Sequence, residues 1–132
     1  MGLFGRQEKK AARRGELEVD LGRLQGLSLP ELASEVARRV WGGGDKSIPP
    51  DREATDLQLA RAVAGGPPPG DLGRQVRALI AEAMNALETA GLVATHRSKG
   101  GGSDRTSFSL TRNGMAALYD ASLAEAVSRA RD

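Results

Sequence analysis

The fold is decided by residues 71–119, which read DLGRQVRALIAEAMNALETAGLVATHRSKGGGSDRTSFSLTRNGMAALY. The stretch begins with apolar residues repeated at spacings of three and four, which places them on one face of an α-helix. Six residues share that face: Val76, Leu79, Ile80, Ala83, Leu87 and Ala90. Asp71 is predicted to cap the start of the helix, and Gly91 is predicted to end it in the left-handed conformation.

Two strands, residues 92–98 and residues 105–110, are predicted after this helix, joined by a glycine-rich turn at residues 99–104. In the second strand, less polar and more polar side chains alternate, as a half-buried strand requires. Thr111 is then expected to cap a further helix. The apolar residues of that last helix are Met115, Leu118, Leu123 and Val127.

This order of elements is that of a helix leading into a β-wing. In the motif NALETAGLV…HR…R…FSLTRNGMAAL, which starts at Asn85, the chain resembles winged helix-turn-helix regulators of the MarR and PadR kind. Those proteins commonly read LeeaGLv, then a basic hairpin, then y.LT..G...l. The resemblance covers roughly the C-terminal half of the chain. It implies an α+β winged helix-turn-helix with a two- or three-stranded β-wing and a C-terminal helix, acting as a DNA-binding bacterial transcription regulator.

Two helices are predicted upstream of this stretch. The first, residues 28–41, starts with a capping-box pattern from Ser28 and Glu31, and Arg38 and Arg39 are expected to face solvent. The second, residues 51–64, is expected to be capped by Asp51. Its predicted apolar face consists of Leu57, Ala60 and Val63, with Leu59 to the side.

The connections between these helices complete the winged-helix plan. Residues 46–48 are predicted to form a short strand against the wing, while residues 16–27 fit either a short helix or an extended segment. The joint between the second and third helices, residues 65–70, contains three prolines. This joint departs from the resemblance, because a helix-turn-helix usually has a turn of three or four residues.

Composition narrows the class of protein. The 132 residues suit one domain, residues 16–132, behind a basic flexible N-terminal arm at residues 1–15. The chain has no cysteine and a single histidine, His96, so we predict no catalytic residue, no metal and no cofactor, and we do not expect an enzyme. No apolar run is long enough to span a membrane, which favours a cytoplasmic protein, associated with the nucleoid if it binds DNA. The excess of Arg over Lys, with abundant Ala and Gly, is typical of a GC-rich bacterial genome.

Positive charge is concentrated in two places, the arm and the wing. In the fold that the resemblance implies, the third helix enters the major groove and the wing lies along the DNA backbone or minor groove. Arg112, in the first turn of the last helix, opposes the helix dipole, so a phosphate or a carboxylate acceptor would explain it. The predicted contacts with double-stranded DNA are Arg74, Gln75 and Arg77 from the helix, Arg97, Lys99 and Arg105 from the wing, and Arg112.

An alternative is a non-enzymatic adaptor whose winged helix binds another protein. The third helix is rich in alanine, and small side chains allow close helix packing. The adaptor predicts an exposed apolar patch on this helix, whereas DNA binding predicts a positive surface. A homodimer is also possible, because residues 17–27 and the last helix carry more apolar side chains than a small monomer needs.

Overall fold

The computed structural model describes residues 2–44, 46–100 and 103–131, and the side chains of residues 13–44, 46–97 and 106–131. The described part of the chain is α+β, with six helices and one three-stranded antiparallel sheet of strand order β1-β3-β2. The elements, in chain order, are α1 (Gly2–Gln25), α2 (Leu29–Trp41), β1 (Ala54–Thr55), α3 (Asp56–Ala64), α4 (Gly70–Thr89), β2 (Val93–Gly100), β3 (Ser103–Leu110), α5 (Arg112–Tyr119) and α6 (Leu123–Arg131).

The core lies around α2, which packs against α3, α4 and α6. The apolar stripe of α2 is buried as predicted, and Trp41 at its end is only 1% exposed. The indole Nε1 of Trp41 donates a hydrogen bond to the carbonyl oxygen of Arg52 at 3.1 Å, so its one polar atom keeps a partner. On α4, the predicted face is also buried, from Val76 to Leu87.

Several predicted helix ends are confirmed. The Ser28 hydroxyl accepts a hydrogen bond from the backbone N–H of Glu31 at 3.4 Å, and the Thr111 hydroxyl accepts one from Gly114 at 3.0 Å. Gly91 follows α4 with φ of +74°, the left-handed conformation that glycine adopts at low cost. Asp71, however, was predicted to cap α4 and does not. Pro69 holds the cap position, and Asp71 lies in the first turn.

The end of α4 and the start of α5 are joined by backbone contacts. The Thr111 hydroxyl donates to the carbonyl oxygen of Gly91 at 2.6 Å, and the Thr111 backbone N–H donates to the carbonyl oxygen of Leu92 at 3.0 Å. A side chain at Gly114 would collide with the Leu92 carbonyl group. The GLV and LTRNG segments are therefore the two halves of one joint at the base of the hairpin.

The predicted start of α3 and the predicted short strand are both wrong. The helix begins at Asp56, after a capping box in which Thr55 and Gln58 each bind the other's backbone N–H. With this start, Leu59 is fully buried and Leu57 is 57% exposed. The short strand is β1, Ala54–Thr55, which pairs with β3, whereas residues 46–48 have no strand conformation.

The predicted last helix is two helices. A turn at residues 120–122 separates α5 from α6, and Ala121 has φ of +56° there. Leu123 and Val127 are both buried, and α6 packs against α2. The break lets the chain turn back and cover the core that one straight helix would leave exposed.

Residues 16–27, which fit helix or strand by sequence, belong largely to helix α1. This helix is continuous across residue 15, where the sequence analysis divided arm from domain. Its buried residues among those with described side chains are Leu17, Leu21 and Leu24. The spacing of three and four in this stripe explains why a helix forms here, because alternate residues would put Leu17 and Leu24 on opposite faces of a strand.

Candidate nucleic-acid interface

The first half of α4 presents a polar, basic surface. Arg74, Gln75 and Arg77 are all exposed. By helical geometry, Arg74 lies opposite the buried face of α4, and Gln75 and Arg77 lie on either side of that face. Among the hydrogen bonds and ion pairs of the described residues, none uses these three side chains. Because Arg74 and Arg77 are three residues apart, their guanidinium groups extend from adjacent positions on one face.

The alanines of α4 are divided between surface and core. Ala83 and Ala86 are buried, whereas Ala78 and Ala81 are exposed beside the arginines. The whole of α4 is described, and it has no large exposed apolar side chain. Among the described residues, the large exposed apolar side chains are Val19, Leu57 and Tyr119, which lie on α1, α3 and α5.

Charge changes sign along α4. Two arginines lie in the first half, and Glu82 and Glu88 lie in the second half, all of them exposed. The Glu88 carboxylate accepts a hydrogen bond from the Thr95 hydroxyl of β2 at 3.0 Å, so the acidic end of the helix holds the sheet. Glu88 is eleven residues from Arg77, which corresponds to about 16 Å along the axis.

The wing contributes one described arginine. Arg97 is exposed on β2, on the same face as Thr95 and two positions further from the sheet base, opposite Thr106 of β3. The side chains of Lys99 and Arg105, which were also predicted to contact DNA, lie outside the described residues. Their backbones belong to the paired strands, where Lys99 is opposite Asp104.

The other face of the sheet carries a small polar cluster. His96 Nε2 lies 2.8 Å from the Ser109 hydroxyl and 3.9 Å from a carboxylate oxygen of Glu53. The Ser107 hydroxyl donates to the second Glu53 oxygen at 2.9 Å. Hydroxyl and carboxylate both approach the same ring nitrogen, which is not the relay that activates a nucleophilic serine, since that relay uses one nitrogen for each. The cluster ties the segment before β1 to the wing.

Arg112 is exposed at the start of α5, next to Thr111. Thr111 is bound to Gly91 and Leu92, so Arg112 lies beside the C-terminal end of α4. The predicted contacts thus form two groups. Arg74, Gln75 and Arg77 lie together near the N-terminus of α4, while Arg97 and Arg112 lie on elements attached to its C-terminal end.

Two arginines of α1, which were not among the predicted site residues, contact the linker before α4 and its first turn. Arg14 binds the Asp71 carboxylate with both terminal nitrogens, at 2.9 and 2.5 Å. Arg13 donates to the carbonyl oxygen of Pro67 at 2.9 Å. The hydrogen bond from Arg14 is the main reason that the pKa of Asp71 is lowered from 3.8 to about 2. Helical spacing could have indicated this contact, since residues 13 and 14 share a face with buried Leu17.

A further arginine contact that was not predicted joins α1, α2 and α3. Arg39, predicted to face solvent, has a side chain only 20% exposed. It binds both oxygens of Asp20, at 2.7 and 2.9 Å, one oxygen of Glu35 at 3.1 Å, and the Val63 carbonyl at 2.8 Å. The hydrogen bond from Arg39 is the main cause that lowers the pKa of Asp20. This cluster joins α1 and α2 to the C-terminal end of α3.

No protein-family model, curated protein or solved structure matches this chain. Within the described residues, none of the helices combines the length and the apolar character needed to cross a membrane.

Proposed function

We propose that this protein is a winged-helix DNA-binding protein, and that it acts as a bacterial transcription regulator at the nucleoid. The observation that carries the proposal is the exposed face of α4. Its first half bears Arg74, Gln75 and Arg77, and none of its exposed residues is a large apolar side chain. Cationic and amide side chains at the start of one helix are the groups that read and hold duplex DNA.

The order of elements supports this assignment. From α2 the chain continues through β1, α3, α4, β2 and β3, and β1 pairs with the second wing strand. This order is compatible with a winged helix, in which α3 and α4 form the helix-turn-helix and the β2–β3 hairpin forms the wing. In that arrangement α4 is the element that enters the major groove.

Each cationic side chain has a role suited to its chemistry. An arginine can donate two hydrogen bonds to the O6 and N7 atoms of guanine, and a glutamine can pair with adenine. Arg74, Gln75 and Arg77 therefore provide the base contacts in this proposal. Arg97, with Lys99 and Arg105 of the hairpin, and Arg112 bind phosphates, which gives affinity but no sequence preference.

The alternative adaptor function finds less support on α4. A protein-binding helix needs an exposed apolar patch, and α4 offers only Ala78 and Ala81 between charged neighbours. Ala83 and Ala86 are not accessible to a partner, because both are buried in the core. The exposed surface of α4 therefore favours nucleic acid over protein.

The test is binding to labelled mixed-sequence duplex DNA across a salt series. The variants are Arg74→Ala/Arg77→Ala and, as a control of equal charge change, Arg129→Ala/Arg131→Ala on α6, where both arginines are also exposed. We expect micromolar affinity that falls steeply with salt for the wild type. On mixed-sequence DNA, where their preferred bases are not selected, Arg74 and Arg77 contact phosphates. The magnitude of the slope of log K against log salt should therefore fall by about 1 for each arginine removed, and only in the α4 variant.

Two results would contradict the proposal. One is the absence of binding by the wild-type protein even at low salt. The other is an equal loss of affinity in the α4 and α6 variants, which would show that only net charge matters. In either case the next experiment is capture of a protein partner with the wild type and with an Ala78→Glu/Ala81→Glu variant, which the adaptor function predicts to lose that partner.

A further inference from the structure

We propose that Arg13 and Arg14 are positioning residues that clamp the α3–α4 linker and the first turn of α4 to α1. By doing so, they fix the orientation in which α4 meets its partner. The effect on DNA affinity rests on the proposed function, whereas the clamp itself does not. The two arginines and their partners, Pro67 and Asp71, are called the α1 clamp below.

The linker between α3 and α4 cannot hold α4 by itself. It comprises residues 65–69, and three of them in succession, Pro67, Pro68 and Pro69, have no backbone N–H to donate. Gly65 and Gly66 have φ of +74° and +146°, values that bend the chain sharply. The backbone N–H groups of Gly65 and Gly66 both donate to the Arg61 carbonyl oxygen and so end α3. Residues 67–69 have no N–H to donate, so they are oriented by what binds their carbonyl oxygens, and the Pro67 carbonyl is bound by Arg13.

Gly66 lies in close contact with the side chain of Arg13. Gly66 is buried, and a Cβ atom at this position would collide with the Arg13 guanidinium group. The guanidinium lies against Gly66 and donates to the carbonyl oxygen of the next residue, Pro67. A larger residue at position 66 would displace the Arg13 side chain from this contact, and the positive φ of residue 66 separately favours glycine.

The start of α4 lacks the usual internal cap, and Arg14 acts at that point. Pro69, at the cap position, has no side-chain hydrogen bond to the helix. Arg14 instead engages Asp71 in the first turn through two parallel hydrogen bonds, a geometry that fixes direction as well as distance. Three residues before Arg74, this contact ties the basic half of α4 to α1 and neutralises the nearest carboxylate.

The exposure of the clamp residues determines how much their removal should change the stability of the protein. The side chains of Arg14 and Asp71 are 42% and 66% exposed. Such a pair adds little to the stability of the whole fold. Its loss should therefore leave the protein folded, with α4 still held by its buried face, while the linker and the first turn of α4 sample several orientations. Affinity then falls in proportion to the fraction that remains competent to bind.

The first test measures orientation without DNA. Because the chain has no cysteine, a spin-label pair can be placed at Leu57→Cys on α3 and Gly70→Cys in the first turn of α4, both exposed positions, and a Cβ atom at Gly70 meets nothing within 4 Å. We expect one narrow distance distribution in the otherwise wild-type protein and a broad one in Arg13→Ala/Arg14→Ala. A control of equal charge change, Arg52→Ala/Arg61→Ala, should keep the narrow distribution. An unchanged distribution in the clamp variant would overturn the proposal.

The second test measures DNA affinity in the same variants without labels. We expect the clamp variant to lose about fivefold in affinity and the control variant less than about twofold. Asp71→Asn is then added to the clamp variant. Recovery of wild-type affinity would show that Arg14 only neutralises Asp71, and would overturn a positioning role. We expect no recovery, because removing the carboxylate does not restore the orientation.

These outcomes separate the two proposals. A broadened distance distribution with no DNA binding by the wild type would leave the clamp standing and reject the proposed function. DNA binding with an unchanged distribution would do the reverse. If Arg13→Ala/Arg14→Ala fails to fold, as judged by its thermal melt, Asp71→Asn alone is used instead, because it removes the charge that Arg14 binds. Its distance distribution should also broaden, and a narrow one would count against the clamp.

Discussion

The two ends of α4 are held in different ways. At the C-terminal joint, defined as residues 91–92 with residues 111–114, a glycine turn and a threonine cap bind each other through backbone groups. At the N-terminal joint, residues 65–71, the backbone has few donors, and side chains of α1 supply the contacts. The C-terminal joint is thus a close-packed part of the fold, whereas the contacts of the N-terminal joint depend on exposed side chains of another helix.

The largest effect is expected from filling the close approach at the C-terminal joint. Gly114→Ala would bring a methyl group against the Leu92 carbonyl group, a backbone contact that cannot move without disturbing Gly91. We expect a loss of about 1–3 kcal/mol in the free energy of unfolding, measured by urea denaturation. Gly22→Ala is the control, since nothing lies within 4 Å of its new Cβ atom. This exposed helical position should become slightly more stable, and an equal loss in both variants would contradict the close approach.

The next effect concerns the buried support of the N-terminal joint. Arg39→Ala would leave Asp20 and Glu35 partly buried without their main partner, and would free the Val63 carbonyl near the end of α3. We expect a loss of about 2 kcal/mol in the free energy of unfolding, below the full cost of an unpaired buried charge because solvent reaches the cluster. Arg38→Ala, whose side chain is 57% exposed and pairs only with Glu35 among the described residues, should cost less than about 0.5 kcal/mol. Similar losses would show that Arg39 is an ordinary surface residue.

A smaller effect is expected at the cap of the C-terminal joint. Thr111→Ala removes the hydrogen bond from Gly114 N–H and the hydrogen bond to the Gly91 carbonyl, while the backbone bond to Leu92 remains. We expect a loss of about 1 kcal/mol in the free energy of unfolding, typical of a helix cap. Thr111→Ser keeps the hydroxyl and should recover most of it. Failure of serine to recover stability would indicate that the methyl group, not the cap, matters.

The difference between the joints also explains what the sequence could predict. Gly91 and Thr111 carry local signals, a left-handed helix end and a helix cap, and both predictions are confirmed. The start of α3 was wrong because Asp51 and Thr55 are both good caps. The choice between them depends on β1 pairing with β3, more than fifty residues away. Similarly, nothing local marks Ala121 as the break between α5 and α6.

The candidate site likewise contains features that local sequence predicts and contacts between distant residues that it does not. Helical periodicity placed Arg74 and Arg77 away from the apolar face of α4, and both residues are exposed, as is Gln75 between them. The partners of Asp71 and of Asp20 could not be found in this way, because Arg14 and Arg39 reach them from other elements, 57 and 19 residues away in the chain. Whether the exposed group binds DNA stays a prediction.

The smallest effect is expected from the pH dependence of the Arg14–Asp71 pair at the N-terminal joint. The pKa of Asp71 is lowered to about 2, mainly by the hydrogen bond from Arg14, against an ordinary value of 3.8. Because the folded state holds the charged form more tightly, the pair stabilises the protein fully above about pH 4, and this contribution disappears as pH falls through about 2. Carboxyl NMR titration should therefore show Asp71 titrating near pH 2 in the wild type. In Arg14→Ala the pKa should rise toward its ordinary value but remain below it, because hydrogen bonds from the backbone of Asp71 and Leu72 also lower it. Thermal melts should show a small extra loss of stability between pH 4 and pH 2 in the wild type that Asp71→Asn lacks. If Asp71 titrates at its ordinary value in the wild type, Arg14 does not bind Asp71 in solution, and the first turn of α4 keeps only the contact between Arg13 and the Pro67 carbonyl.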